Sequence, residues 1–131
     1  MIKKILLLML MSGMIGSANA DWSKIEHGDK QLTLYVDHET RADSGRGTLV
    51  IWHLADYAEP QNLDGKAYRS IKAQYEYDCV KDLTRELMYF WHPDSMGNSQ
   101  MVHAAYYPGV WNTPIAGSIE HSMMQLVCKK K

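Results

Sequence analysis

The chain of 131 residues lacks most of the features that mark specialised protein classes. It has only two cysteines, Cys79 and Cys128, too far apart for a C-x-x-C redox motif. It has no excess of positive charge: 14 Lys and Arg stand against 15 Asp and Glu, which argues against a nucleic-acid binder. After residue 20 no run approaches the roughly 18 apolar residues that mark a transmembrane helix, so no membrane span is expected there. The patterns G-x-S-x-G, H-E-x-x-H and the P-loop are absent, and no spacing of Ser, His and Asp singles out a triad. The chain therefore reads as non-enzymatic, and no cofactor is expected.

What is present begins with a leader. Lys3 and Lys4 precede an apolar run from Ile5 to Leu10 that continues through Met11, Met14 and Ile15, and Ala18-Asn19-Ala20 supplies a small-x-small cleavage site. This is the pattern of a secretory signal peptide over residues 1–20. Cleavage leaves residues 21–131, enough for one compact domain. No cysteine lies near the leader's end to carry a lipid, so the expected product is exported, periplasmic or secreted, and not lipid-anchored. In an oxidising compartment, two cysteines and no third suggest one Cys79–Cys128 bridge.

Most of the remaining sequence repeats with period two. The clearest stretch is Arg69 to Cys79, where Ile71, Ala73, Tyr75, Tyr77 and Cys79 alternate with Ser70, Lys72, Gln74, Glu76 and Asp78. That alternation predicts a half-buried strand, apolar inside and polar outside. Further strands are expected over Gln31–Asp37, Leu83–Trp91 and Gln100–Tyr107, with a short one around Trp22–Glu26. Thr48–Leu54 is apolar on both phases, as expected of a central strand covered on both sides, and Trp52 is assigned to the core. Asp43–Gly47 reads as a turn, Glu59–Gly65 as a surface loop and His92–Asn98 as the close of a hairpin. Near the end the period lengthens: Ile119, Met123, Leu126 and Val127 share one helix face behind Ser118, an apt N-cap. The expected fold is α+β, an antiparallel sheet of five or six strands with one C-terminal helix packed on it.

The ordered set Trp22, Tyr35-Val36-Asp37, Trp52-His53-Leu54, Asp56-Tyr57, Tyr68-x-Ser70-x-Lys72, Glu76-Tyr77-Asp78-Cys79, Arg85, Met96-Gly97, Trp111, Gly117-Ser118 and Cys128 resembles the surface-adhesin protein E family. The resemblance spans nearly all of residues 21–131. It implies an antiparallel sheet whose C-terminal helix is pinned by the two cysteines. In the best-known member it also implies binding of extracellular-matrix proteins such as vitronectin and laminin, and a capacity to dimerise. The partners to expect are therefore host or environmental extracellular proteins. This chain departs from the family in lacking the lipid-attachment cysteine and in having Ala116 where Pro usually precedes the Gly-Ser pair.

On an adhesin reading, Lys66, Arg69 and Lys72 are the candidate binding residues for an acidic or sulfated partner, with Lys72 facing outward by the alternation. Their charges are interleaved with Glu76, Asp78, Asp82 and Glu86, as on an ordinary solvated face. Trp111, in a Pro/Gly-bounded loop, is expected to pack over one end of the core. The alternative function is a periplasmic ligand or copper carrier. His92, Met96, Met101 and His103 flank one expected hairpin, and imidazole and thioether ligands suit copper.

Overall fold

The computed structural model describes residues 21–25, 30–106 and 108–129. The signal-peptide reading of residues 1–20 lies outside the described residues. Six strands, β1 (Ser23–Ile25), β2 (Leu32–Asp43), β3 (Leu49–Leu63), β4 (Lys66–Asp78), β5 (Leu83–His92) and β6 (His103–Ala105), precede one helix, α1 (Ile119–Val127). The strands form a single antiparallel sheet in chain order. The expected α+β architecture is what the chain adopts.

The strand phase follows the apolar alternation on one face. Leu34, Val36, Ile51 and Tyr77 join Ile25 against Met123, Met124 and Val127 of α1 to make the core. Each of these side chains, fully buried, contributes roughly 1.5–3 kcal/mol. Ser118 caps the helix, its Oγ accepting from the His121 N–H at 3.1 Å. Leu126, expected on the buried stripe, is 38 % exposed, and Met124 takes its place. Cys128 ends the helix and is bonded to Cys79, just past β4, with Cα atoms 5.5 Å apart.

The opposite face departs from the expectation of a polar outer surface. Ser70 is 0 % exposed because the loop after β5 folds back over it, and Glu76 is 2 % exposed between Thr48 and Arg85. A 3₁₀ turn, Ser95–Gly97, sits on β3 and β4. The Ser70 hydroxyl donates to the Asp94 carbonyl at 2.5 Å and accepts from the Gly97 N–H at 2.8 Å. The Met96 N–H donates to Asp56 Oδ1 at 2.9 Å. Lys72, expected outward, is half-buried with its aliphatic stem beneath Gly97. Trp52 lies on this face too, stacked on Phe90 at 5.7 Å, because its neighbours Ile51 and His53 point toward the core.

The stretch expected to be a loop, Glu59–Gly65, is mostly strand. A register shift between Asp56 and Gln61 absorbs Pro60, and pairing resumes to Leu63 opposite Lys66. The tip is the two-residue turn Asp64-Gly65, with φ of 51° and 76°, the positive pair that suits the twist of a tight hairpin.

Gly97 offers a local test. Its φ is +61°, and an added Cβ would meet the Lys72 Cε. Gly97→Ala should cost about 1–2 kcal/mol, chiefly from the backbone conformation. Because the Lys72 stem can move aside, Lys72→Ala should recover part of that loss, read as a non-additive double-mutant cycle in urea midpoints. Strict additivity would show that the two residues do not touch.

Candidate binding cleft

A cleft of about 260 Å³ lies between α1 and the sheet. Leu32, Leu34, Ala55, Ile71 and Ala73 form its apolar floor, and Ile119 and Met123 its roof. Polar side chains of the sheet also line it, among them His53, Tyr75, Tyr77 and Glu86, with Glu120 on the helix side.

The alternation of β3 directs His53 into the core face, where it is 3 % exposed. Its Nε2 pairs with the Tyr77 hydroxyl at 2.8 Å, and its ring meets Tyr75 edge-on at 5.1 Å. Burial pushes the imidazole pKa down to about 3, against a weaker opposing pull from the Tyr35 carbonyl. That carbonyl falls outside hydrogen-bond geometry, and Nδ1 has no hydrogen-bond partner. The Tyr75 hydroxyl donates to Glu86 Oε2 at 3.0 Å. Burial and the Glu86 carboxylate push the Tyr75 hydroxyl above the usual tyrosine range, and burial does the same to Tyr77. Burial also raises the Glu86 carboxyl, although the Tyr75 bond pulls the other way.

Glu86 reaches this cleft through a β-bulge. Gln74 pairs with Met88 but Tyr75 pairs with Glu86, leaving Leu87 as the extra residue of β5. The bulge flips the phase of β5, so Thr84 and Glu86 share a face with Tyr89 and Trp91. That replaces the expectation that Glu86 belongs to a solvated outer face. Beyond the helix the same sheet face carries a row of rings. Tyr57 meets Tyr68 at 5.7 Å, Tyr68 meets Trp91 at 4.7 Å, and Trp91 meets His103 at 4.6 Å.

The outer face holds a separate polar network. Arg85 pairs with Glu76 at 2.7 Å, Thr48 donates to the same carboxylate at 2.6 Å, and the Arg85 guanidinium lies 4.5 Å above the Trp111 ring. Burial pushes the Glu76 carboxyl up, but the Thr48 and Arg85 hydrogen bonds and the Arg85 charge outweigh it and hold the group below its ordinary value. Trp111 thus packs on the outer face, beside the Thr84–Asn112 bridge, rather than on the end of the helix-side core.

The structure does not bring the His/Met quartet together. Trp91 pairs with His103, so His103 lies on the ring row, while the adjacent His92 points to the opposite face. There His92 is buried, with Nδ1 bonded to the Ser99 carbonyl at 2.7 Å. Met101 is 45 % exposed. Among the described residues no group of three or more His, Cys, Asp or Glu could hold a metal ion. The basic trio is also dispersed. Lys66 is exposed beside the hairpin tip, Arg69 donates to the Tyr57 and Ala58 carbonyls at 3.3 Å each, and Lys72 lies under Gly97.

The described residues form a meander of six antiparallel strands with a disulfide-pinned C-terminal helix and a cleft between helix and sheet. The family model for surface-adhesin protein E matches residues 22–129, and the chain belongs to that family. Crystal form II of Haemophilus influenzae protein E is similar at a TM-score of 0.60 and 10 % identity, over 81 % of this chain and 95 % of that one. A second Haemophilus influenzae protein E structure gives a TM-score of 0.58 at 10 % identity, over 82 % and 92 %. Protein E from non-typeable Haemophilus influenzae gives 0.56 at 9 % identity, over 84 % and 85 %. At such identities the structural likeness speaks for the fold. A search of the curated proteins finds no match. Family and fold point to a non-enzymatic protein, and family and disulfide to an exported one. The comparisons lend no support to a homodimer. Among the described residues no helix is long and apolar enough to cross a membrane.

Proposed function

We propose that the chain is an exported interaction module that binds an extracellular protein of the matrix type, released from a signal peptide ending at Ala20 and not lipid-anchored. The observation that carries this reading is the family match, which runs through both cysteines and the whole sheet. The proposed contact surface is the β3–β4 hairpin, which projects exposed Lys66 and half-exposed Leu63 beside Arg69. An apolar side chain next to positive charge suits an acidic or sulfated patch on a partner.

The test is binding of the purified, oxidised protein to immobilised vitronectin and laminin by surface plasmon resonance. Lys66→Glu should weaken binding about tenfold while the melting temperature holds. Arg69→Glu should weaken it further, with some loss of stability because the Tyr57 and Ala58 carbonyls lose their donor. Absent binding in the wild type, or unchanged binding in Lys66→Glu, would remove this reading of the hairpin.

A further inference from the structure

We propose that the cleft between α1 and the sheet binds a small amphipathic amine, its ammonium group held between Glu86 and Glu120 and its apolar body lying on Leu32, Leu34, Ala55 and Ile71. This goes beyond protein binding and uses a different part of the molecule. The first ground is charge. No Lys or Arg lines the cleft, and its two acids are Glu86 and Glu120. Among the described residues the Glu86 carboxylate accepts a hydrogen bond from Tyr75 and no cation pairs with it. Both carboxylates line the cleft with Tyr75, one from β5 and one from α1, and both act electrostatically on its hydroxyl. A half-buried carboxylate without a cation is costly, and a cationic ligand would remove that cost.

The second ground is the wall. Tyr57, Tyr75 and Tyr77 all line the cleft. Tyrosine faces attract cations, and aromatic walls beside carboxylates are a recurrent way to hold ammonium groups. The third is His53, 3 % exposed, which lines the same cleft with its Nε2 paired to the Tyr77 hydroxyl and its Nδ1 without a hydrogen bond. Burial keeps that imidazole neutral, so it adds no positive charge to repel an amine. The fourth is size. A volume of about 260 Å³ suits a ligand smaller than most drug-sized molecules. An anionic ligand would face two carboxylates with no cation to offset them.

The experiment is calorimetric titration of the oxidised protein at neutral pH with 2-phenylethylamine, its neutral counterpart 2-phenylethanol and the anion 3-phenylpropionate. The amine should bind about tenfold more tightly than the alcohol, and the anion should not bind measurably. Glu86→Gln should remove most of the amine's advantage over the alcohol. Glu120→Gln, at an exposed position that keeps the fold intact, should reduce it about threefold. Equal affinity for amine and alcohol, no binding of either, or a folded Glu120→Gln protein with undiminished preference for the amine would overturn the proposal.

Discussion

Between pH 6.5 and pH 4, folding stability should fall by about 1.4 kcal/mol per pH unit through His53 alone. The cause is the burial that holds this imidazole at a pKa of about 3 in the folded chain. The unfolded chain takes up the proton near pH 6.5, while the folded chain refuses it until far lower pH. In that window the unfolded state binds more protons, so stability rises with pH and is lost on acidification. Integrated down to pH 3, the loss approaches about 4–5 kcal/mol, a large share of the net stability of a small domain. His92 adds to the slope in the same direction, its pKa lowered chiefly by burial against the pull of the Ser99 carbonyl. The measurement is urea unfolding at a series of pH values for the wild type and His53→Leu. The variant's curve should be flatter below pH 6.5 by about one proton. Parallel curves would show that His53 is not buried in its neutral form.

Loss of the Cys79–Cys128 bridge is the second large effect. The cysteines are 49 residues apart, and closing a loop of that length restrains the unfolded chain by about 4 kcal/mol in the chain-entropy model. The helix depends on the bridge as well. Nine residues are too few for an isolated helix to persist in water, so α1 is held by Met123, Met124, Val127 and the disulfide. The Cys79→Ser/Cys128→Ser protein should melt roughly 15–25 °C lower. It should also expose Tyr75 and Tyr77 to solvent before the sheet unfolds, seen as an early change in tyrosine absorbance. A melting temperature within a few degrees of the wild type would contradict this account of the helix.

Much of the fold was legible because it rests on local rules. The alternation of Ile71, Ala73, Tyr75 and Tyr77 set the buried face of β4, and Ser118 marked the start of α1 where the period changed. What escaped depends on contacts distant in sequence. Nothing near Lys72 or Ser70 announces that the 95–97 turn will fold back over them, so strict alternation assigned both to solvent. The bulge at Leu87 was hidden because both phases of β5 carry large side chains, and with it went the placement of Glu86. The place of His53 between Ile51 and Ala55, on the core phase of β3, points inward from the sequence alone. His92 and His103 lie on opposite faces of the sheet because successive residues of a strand alternate between faces, and His103 pairs with Trp91, the neighbour of His92.

The claim at the centre of the account is that this is an exported module presented outside the cell to an extracellular partner. Intact native cells treated with a membrane-impermeant biotinylation reagent, followed by thiol titration and intact-mass measurement of the captured and secreted pools, test it most directly. The account predicts a labelled or secreted protein that begins at Asp21, carries no lipid and has no titratable thiol. A protein protected from the reagent until lysis and absent from the medium, retaining residues 1–20 and two free thiols, would contradict it.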